Sequence, residues 1–465
     1  MKRRADVTSG RSSDYGRWVS PRLSAIPTPI APIAERRASG RALRDKLRRS
    51  EHAPNVPRPD RPDALELFRD EAAHRRGEVL PIRWGRMAES PFACFRGSAG
   101  VMAFDLAPLP VAGLEVQLTG DAHVVNLGAY AAPDGHLVFD LNDFDHACRG
   151  PYEWDLKRLA TSVVLAGREA GQREGACRDA TAALVAAYRD ALDRFAELTV
   201  LELARYEISP GRSQSLAPIF AKAARDTPKR LFKKATEPDG ERARFRAEPP
   251  VLRPLDPVEA ERVLAALPDY RDTLGAGRRQ VFDAYRPHDL AFRVGGVGSV
   301  GVDSYLILFY GNGAADPLFL QIKEVGRSCW ERYLPAMPGE SHQGRRAAEA
   351  QARTQTVSDP FLGWTRVGDT PCLVRQWSDH KASIDVEMLN GRALGAYAEL
   401  CGVVLAKAHA RTGDAAMLAG YCGNGDNLDQ AISKFAVSYA DQAERDYERL
   451  VRAIASGELQ AVEST

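Results

Sequence analysis

The 465-residue sequence has no long apolar run and almost no excess charge of either sign. No stretch approaches the roughly 20 consecutive apolar residues that a membrane-spanning helix needs, so we expect no membrane partner. The formal net charge is +1, and a chain this close to neutral lacks the overall field that draws proteins to nucleic acids. The composition is 44% hydrophobic, which is sufficient for a folded protein with more than one core-forming unit.

The sequence also lacks cysteines at spacings that indicate a disulfide framework or a zinc site. Its seven cysteines are scattered and odd in number, which favours reduced thiols in a cytoplasmic protein. No apolar stretch follows the basic segment Lys2–Arg4, so a secretion signal is not expected. One group of metal-ligating types is close in sequence, but no two of its members have a structural zinc spacing. Its members are His123, His136, His146 and Cys148.

What the sequence does contain is a pair of polar clusters, each beside a strand-like apolar segment. The first, Gly120–Asn126, reads Gly-Asp-Ala-His-Val-Val-Asn, and the second, Phe139–Asp145, reads Phe-Asp-Leu-Asn-Asp-Phe-Asp. Phosphoryl transfer requires an aspartate that orients the attacking hydroxyl, and an amide oxygen and a second carboxylate that hold Mg²⁺. The pattern therefore predicts a catalytic base at Asp121 and a magnesium site at Asn126 and Asp143.

Simpler interpretations of these clusters stay open. Asp121 follows a strand, where Gly-Asp often forms a turn, and Asn126 suits a left-handed turn position. In the second cluster, Asp140 and Asp145 compete with Asp143 for the metal. Because successive residues of a strand point to opposite faces, Asp145 shares a face with Asp143, and we predict it as a second metal ligand.

A glycine-rich segment follows the first cluster by about 170 residues. Gly296, Gly298 and Gly301 match the pattern G-x-G-x-x-G. In a dinucleotide-binding fold a helix follows this pattern, but here the β-branched and aromatic segment Val302–Tyr310 follows it. A glycine turn between two strands is typical of a flap over nucleotide phosphates, because backbone N–H groups can then approach the phosphate oxygens. The segment is therefore predicted to bind ATP.

The next strand-like segment, Leu318–Lys323, ends in a lysine among apolar residues. A buried lysine needs an anionic partner, and we expect this partner to be the ATP phosphates or Glu349, on a helix that begins near Gly344. Two other interpretations are a lysine on an edge strand that reaches solvent, and an ion pair with another glutamate. The other glutamates are Glu324, Glu331 and Glu340.

Composition and periodicity divide the chain into four segments. Residues 1–60 are rich in Arg, Pro and Ser and have no periodicity, which predicts a disordered basic arm. Residues 61–284 are mainly helical and contain both polar clusters. Residues 285–378 are mainly strand-like, and residues 379–465 are helical again.

Several of these segments together resemble the bacterial family catalogued as domain of unknown function 2252. The resemblance runs from about Arg61 to Ala461. It is carried by Phe95–Ser98, Gly120–His123, Phe139–Asp145, Trp154–Ala160, Gly296–Gly301, Leu320–Glu324 and Ala408–Arg411. This family resemblance implies no substrate, so it bears on identity more than on activity.

The first cluster is also similar to the catalytic loop of aminoglycoside and choline kinases, which belong to the protein-kinase-like superfamily. This resemblance implies that Asp121 is the catalytic base and that Asn126 and Asp143 hold Mg²⁺. It also implies that the glycine-rich segment and Lys323 hold ATP, with the adenine near a hinge at Gln376-Trp377-Ser378.

The resemblance implies an α+β fold of two lobes, but the order of its parts differs from that of the kinases. In those kinases the glycine flap and its lysine precede the catalytic loop, whereas here they follow it. We therefore predict a circularly permuted kinase-like fold, which is physically acceptable when the original termini lie close together. The small antiparallel β lobe, residues 285–378, is then inserted between two halves of the helical lobe, residues 61–284 and 379–465.

The sequence thus predicts an ATP- and Mg²⁺-dependent phosphotransferase that acts on a small hydroxyl- or amino-bearing acceptor. Two alternatives use the same residues. The first is a nucleotide-binding pseudokinase or regulatory protein, and Thr119 favours it because those kinases have His at this position. The second is a nucleotidyltransferase with a kinase-like fold. The sequence names neither the acceptor nor the oligomeric state.

Overall fold

The computed structural model describes residues 31–55, 58–210, 217–335, 342–377 and 382–462. In these ranges the chain combines helices with antiparallel β-sheets, so the predicted α+β class is confirmed. No helix in the described ranges has both the length and the apolar character that crossing a bilayer requires. Ser378, the last residue of the predicted hinge, lies outside the described residues.

Helices occur at both ends of the chain and between the strands. They are α1 (Ile33–Ala42), α2 (Ala64–Ala72), α3 (Leu80–Met87), α4 (Pro91–Arg96), α5 (Ala99–Leu106), α6 (Tyr152–Glu169), α7 (Glu174–Glu197), α8 (Val200–Ala204), α9 (Ala217–Arg225), α10 (Pro228–Ala235), α11 (Pro257–Ala265), α12 (Leu267–Thr273), α13 (Ala276–Phe282), α14 (Gln343–Thr354), α15 (Ala393–Thr412), α16 (Ala415–Cys422) and α17 (Asn427–Ala455).

The strands form one larger sheet and three small ones. They are β1 (Glu115–Leu118), β2 (Leu127–Ala131), β3 (Leu137–Leu141), β4 (Cys148–Pro151), β5 (Thr236–Asp239), β6 (Arg242–Phe245), β7 (Leu252–Pro254), β8 (Arg286–Arg293), β9 (Ser304–Tyr310), β10 (Pro317–Glu324), β11 (Gly363–Val367), β12 (Thr370–Gln376) and β13 (Ala382–Ser383). The six-stranded sheet has the order β11-β12-β10-β9-β8-β7, and the small sheets are β1-β4, β13-β2-β3 and β5-β6. The strand pairs of all four sheets are antiparallel.

The core of the helical region is built from long helices that are far apart in the sequence. Helix α15 packs along α7, and α17 packs against both α6 and α7. A Cβ at Gly402 would overlap the carbonyl oxygen of Leu184, so this glycine permits the close approach of α15 and α7. Tyr188, Tyr397 and Phe435 are buried in the same core. Residues before and after the strand-rich segment therefore form one helical unit.

The six-stranded sheet has a separate core on its outer face. Tyr305, Ile307, Leu320 and Ile322 point to this face, where helices α11, α12 and α13 cover them. These three helices precede residue 285, so the packing unit built on the sheet begins earlier than the strand-like segment of the sequence. Helical periodicity identified a helical stretch there, but it does not reveal which core the helix joins.

The N-terminal region corrects one prediction. Residues 31–55 are not a disordered arm, because they form α1 and two short 3₁₀ turns packed on the C-terminal helices. Arg36 pairs with Asp414 at 2.8 Å, and His52 Nε2 lies 2.7 Å from the Tyr421 hydroxyl oxygen. The basic composition predicted a disordered arm, but Arg36, Arg44 and Arg49 bond to Asp414, Tyr421 and Cys422, more than 300 residues away in the sequence. Residues 1–30 lie outside the described residues.

Candidate functional site

A cleft separates the inner face of the six-stranded sheet and its glycine turn from the two polar clusters of the helical region. The predicted site residues in its lining are Asp121, Asn126, Asp143, Gly296, Gly298 and Lys323. The remaining lining residues are Arg96, His123, Arg293, Gly295, Val297, Ser299, Ser304, Gln321 and Arg375. Segments that lie far apart in the chain therefore meet around one space.

The first polar cluster is held by a carboxylate on the helix beneath it. Asp155, on α6, is fully buried and accepts hydrogen bonds from the backbone N–H groups of Thr119 and Gly120 at 2.7 and 3.0 Å. Trp330 donates its indole N–H to the Gly120 carbonyl oxygen at 2.6 Å. Because both sides of this turn are hydrogen-bonded, the direction of the Asp121 side chain that follows it is fixed.

The Asp121 carboxylate lies at the cleft and pairs with a fully buried arginine on α6. Arg158 donates its Nε–H to Asp121 Oδ1 at 2.7 Å, and its Nη2 lies 2.5 Å from the same oxygen. Burial raises the pKa of Asp121 to about 6, although the charge and the hydrogen bond of Arg158 act in the opposite direction. A carboxylate with a pKa near 6 is mostly ionised at neutral pH and is a competent proton acceptor.

Asn126 and Asp143 present oxygen atoms that suit a hard cation. The Asn126 side-chain amide donates to the Asp121 carbonyl oxygen at 3.0 Å, which leaves the amide oxygen as the atom available for a cation. Asp143 lines the same cleft. In the described ranges, no group of three or more His, Cys, Asp and Glu residues could hold a metal. An amide oxygen and a carboxylate are donor types that Mg²⁺ uses when phosphate oxygens and water complete its coordination.

Lys323 is buried in the sheet, and its ammonium group forms an ion pair with Asp145. Burial disfavours ionisation of Asp145, but the charge and hydrogen bond of Lys323 lower the pKa of this carboxyl below its ordinary value. The predicted pairing of Lys323 with Glu349 is wrong, because Glu349 bonds to Arg345 and Arg353, each at 2.6 Å, on its own helix. Asp145, predicted as a metal ligand, forms an ion pair with this lysine and is not among the residues that line the cleft, and its role as a metal ligand stays a prediction.

The glycine turn between β8 and β9 is fastened to the helical region by arginines. The side chains of Arg75, Arg83 and Arg86 donate to backbone carbonyl oxygens of the turn at 2.5–3.0 Å. Gly301 ends the turn with φ +91°, and a Cβ there would lie 2.8 Å from Arg75 Cβ. Gly301 therefore shapes the turn, whereas the two earlier glycines of the motif line the cleft.

Three arginines add positive charge to the cleft. Arg375 donates to Gln321 Oε1 at 3.1 Å, and the Arg293 guanidinium lies 5.7 Å from the centre of the Trp377 ring. Burial lowers the pKa of Arg293, and repulsion by Arg375 lowers it further. In the described part of the chain, neither of these two residues nor Arg96 forms an ion pair with a carboxylate. Guanidinium groups without carboxylate partners are suited to bind phosphate.

Besides Gly301 and Glu349, the predicted nucleotide-binding residues Gln376 and Trp377 are not among the residues that line this cleft. Gln376 lines a second cavity, together with Asn142 and Arg375. The Trp377 ring packs edge-on against Phe319, with ring centres 5.7 Å apart. Gln376 and Trp377 thus lie outside the lining of the cleft but beside two of its residues, Arg375 and Arg293. Neighbouring residues of a strand point in opposite directions, and on β12 it is Arg375 that borders the cleft.

Comparison with known protein families supports the resemblance given by the sequence motifs. Residues 75–453 match the family described as an uncharacterized protein conserved in bacteria (DUF2252). The chain belongs to the DUF2252 family. No match was found among curated proteins or among solved structures. The matched range contains both polar clusters, the glycine turn and Lys323, so this DUF2252 protein carries its whole cleft within the region that the family shares.

The arginines of the site in this DUF2252 chain were not predicted from the sequence. Arg158 lies three residues after Asp155 and therefore on the same face of α6. Arg158 is a charged residue in a largely apolar stretch of α6, and this pattern was the signal that could have indicated its role beside Asp121. Arg375 was harder to find, because it reaches the cleft through the pairing of Gln321 with Arg375 across β10 and β12, and strand register is not readable from one sequence.

Proposed function

We propose that this protein is a Mg²⁺-dependent phosphotransferase that uses ATP and acts on a small hydroxyl- or amino-bearing acceptor. The observation that carries the proposal is the convergence of Asp121, Asn126 and Asp143 with the glycine turn and Lys323 around one cleft. This set supplies a proton acceptor, oxygen ligands for a cation, and donors for phosphate oxygens, which are the parts that phosphoryl transfer uses.

The side chains of the cleft have distinct roles in this proposal. Asp121 accepts the proton from the acceptor hydroxyl or amine as its oxygen or nitrogen forms a bond to the γ-phosphorus. The bond from that phosphorus to the bridging oxygen breaks, and ADP leaves. Arg158 keeps Asp121 ionised and directed at the acceptor. Mg²⁺, when held by Asn126 and Asp143, supplies charge neutralisation at the phosphates. Lys323 and the cleft arginines bind phosphate oxygens.

The order of elements supports a circularly permuted kinase-like fold. The glycine turn lies between β8 and β9, the lysine lies on β10, and a helix and two further strands follow, as in the small lobe of kinases. The end of α15 lies beside β1, where the Gln117 backbone N–H donates to Thr412 Oγ1 at 3.1 Å. A direct connection between α15 and β1 would restore the order in which a helix leads into the catalytic loop.

The test replaces Asp121 by Asn or Ala and measures ADP release from Mg·ATP in the presence of pooled metabolite acceptors. We expect turnover to fall roughly 10²–10⁴-fold, the effect of losing a positioned general base, while ATP binding by calorimetry is retained. Asp134→Asn is the matched control, because Asp134 lies in an exposed turn and pairs with His136. Turnover by Asp121→Asn equal to that of the wild type would refute the assignment of the base.

The identity of the products separates the alternatives that share this cleft. Release of ADP with a phosphorylated acceptor supports the proposal. Release of pyrophosphate from ATP instead identifies nucleotidyl transfer. ATP binding with neither product, across the full acceptor pool, identifies a nucleotide-binding regulatory protein.

A further inference from the structure

The motif Phe95-Arg96-Gly97-Ser98, at the end of α4, brings one arginine to the helical side of the cleft. Of these four residues, Arg96 alone lines the cleft. Phe95 is buried behind it, with its carbonyl oxygen accepting from Arg158 Nη2 at 3.0 Å and its ring 4.3 Å from the Arg158 guanidinium. Because Arg158 also bonds to Asp121, one side chain fixes both the end of α4 and the Asp121 carboxylate.

Gly97 permits the end of α4 to contact the glycine turn. A Cβ at Gly97 would lie 3.2 Å from Val297 Cγ1, which is closer than ordinary van der Waals contact. Arg83 joins the two segments, because it donates to the carbonyl oxygens of both Gly97 and Val297. Arg96 is therefore held where α4, the glycine turn and the first polar cluster meet.

The Arg96 guanidinium lies near the carboxylates of the cleft but is paired with none of them. Burial lowers the pKa of Arg96, and the charges of Asp121 and Asp143 are among those that act in the opposite direction. Among the described residues, no carboxylate forms an ion pair with Arg96, and its Nε–H is buried without a hydrogen-bond partner. A buried donor of this kind is costly unless a ligand supplies an acceptor.

The position of Arg96 differs from that of the other two cleft arginines. Arg293 and Arg375 belong to the six-stranded sheet, whereas Arg96 belongs to the helical region that carries Asp121. In phosphoryl transfer, a glycine-rich segment and a lysine hold the donor phosphates, while an aspartate orients the acceptor. The transferring phosphoryl group passes from the first side to the second, and negative charge is spread over its oxygens as it does so. A cation on the side of the base is placed to bind this group during transfer.

We infer that Arg96 contacts the transferring phosphoryl group and stabilises the charge on its oxygens in the transition state. This inference rests on the proposed function and assigns it a further catalytic residue. The bond from the γ-phosphorus to the bridging oxygen breaks, its electron pair leaves with ADP, and the acceptor oxygen or nitrogen bonds to the phosphorus as Asp121 takes the acceptor proton. Arg96 donates its Nε–H to a non-bridging oxygen of the group in transit.

The experiment replaces Arg96 by Ala and measures two quantities, ADP release at saturating Mg·ATP with pooled metabolite acceptors and the affinity for Mg·ATP by calorimetry. We expect turnover to fall by roughly 10²–10³-fold, the effect of losing one donor to a developing charge. The dissociation constant of Mg·ATP is expected to change by less than about threefold, because a contact made only in the transition state does not contribute to binding of the ground state.

Addition of free guanidinium ion tests the role of the missing group directly. At a non-denaturing concentration, guanidinium is expected to raise the turnover of Arg96→Ala by about tenfold or more, because it can occupy the vacated space and donate to the same oxygens. Arg286→Ala is the matched control, since Arg286 is exposed and donates only to backbone oxygens. Its turnover is expected to equal that of the wild type, with no gain from guanidinium.

A second variant keeps the inference testable if Arg96→Ala does not fold. Arg96→Lys retains the positive charge and the aliphatic stem, and we expect its turnover to be lower by roughly tenfold, because an ammonium group lacks the planar pair of donors. Arg293→Gln provides the contrast within the cleft. It is expected to weaken Mg·ATP binding by about tenfold, since Arg293 lies on the side of the donor phosphates.

The outcomes separate this inference from the proposed function. Wild-type turnover by Arg96→Ala, when Asp121→Asn is inactive, overturns the inference and leaves the proposed function intact. A loss of Mg·ATP affinity as large as the loss of turnover also overturns it, and so does a lowered unfolding midpoint with no rescue by guanidinium. Absence of ADP release by the wild type with every acceptor refutes both. Lost turnover with retained affinity and rescue by guanidinium supports both.

Discussion

Two ion pairs with the same chemistry lie in different regions of this protein. Lys407 on α15 pairs with Asp140 in the helical region, and Lys323 on β10 pairs with Asp145 at the cleft. Both lysines are buried, but Asp140 is 4% exposed whereas Asp145 is 24% exposed. The two aspartates are only five residues apart in the sequence, so burial and not sequence position distinguishes the pairs.

The surroundings of the two pairs indicate different roles. Asp140 also accepts a hydrogen bond from the Thr356 backbone N–H at 3.3 Å, and Lys407 donates to Thr356 Oγ1 at the same distance. This pair is closed on all sides and joins α15 to β3. Lys323, in contrast, lines the cleft, so a phosphate group can replace Asp145 as its partner. We therefore expect the first pair to matter for the stability of the fold and the second to be available to a ligand.

The largest effect on stability is expected from breaking the closed pair. Lys407→Met leaves Asp140 buried without a cation, and we expect the free energy of unfolding to fall by about 3–5 kcal/mol. Urea denaturation followed by circular dichroism measures the change. The double variant with Asp140→Asn is expected to recover part of this loss, because it removes the unpaired charge. If the single variant is as stable as the wild type, Lys407 and Asp140 do not form a stabilising pair.

Breaking the pair at the cleft is expected to affect ligand binding more than folding. Lys323→Met leaves Asp145 in contact with solvent, so we expect the free energy of unfolding to fall by less than about 2 kcal/mol. Triphosphate affinity is expected to fall by roughly tenfold or more, because a charged phosphate contact is lost. Parallel denaturation and calorimetric titration measure both quantities. A loss of stability as large as that of Lys407→Met would remove the distinction between the pairs.

A third aspartate–cation pair, Asp121 with Arg158, extends this comparison to the pH dependence of activity. Burial raises the pKa of Asp121 to about 6 despite Arg158, whereas Lys323 lowers the pKa of Asp145. A general base must be ionised, so kcat/KM is expected to rise as the pH increases through about 6. In Arg158→Gln the midpoint is expected to move to higher pH, because a cation that favours the carboxylate is gone. A pH–rate profile tests this, and an unchanged midpoint in the variant would contradict the role of Arg158.

The smallest effect is expected for substitution of Glu349, the predicted partner of Lys323. Glu349 makes exposed i±4 pairs on α14 with Arg345 and Arg353, and such pairs contribute about 0.5 kcal/mol or less. Glu349→Gln should therefore leave triphosphate binding unchanged and shift the unfolding midpoint only slightly. A variant with weakened triphosphate binding would place Glu349 in the site after all.

The sequence identified the side chains of the cleft whose chemistry is local. Asp121 and Asn126 are five residues apart on one loop, so their spacing alone indicated a shared site. Lys323 was recognisable because a lysine in an apolar strand needs an anion. Its anionic partner was not recognisable, because several acidic residues could meet the need for a negative charge. Only the fold shows that this partner is Asp145.

The arginines of the site and the packing of the N-terminal helix were not predictable from the sequence. Arg293 and Arg375 meet only because β8 and β12 belong to one sheet, and strand order is a tertiary property. The basic composition of residues 1–60 predicted a disordered arm, whereas Arg36 and His52 contact residues of the C-terminal helical region. Long-range pairing decides both cases, and one sequence without its fold does not contain that information.

The arginine contacts to the glycine turn have a consequence for the kinetics that we expect of ligand binding. Because Arg75, Arg83 and Arg86 already hold the carbonyl oxygens of this turn, a ligand does not have to order it, and less conformational entropy is lost on binding. Loop opening often limits turnover in enzymes whose phosphate-covering segments move. For the proposed reaction we therefore expect that no loop opening is needed, and that the chemical step or product departure limits turnover.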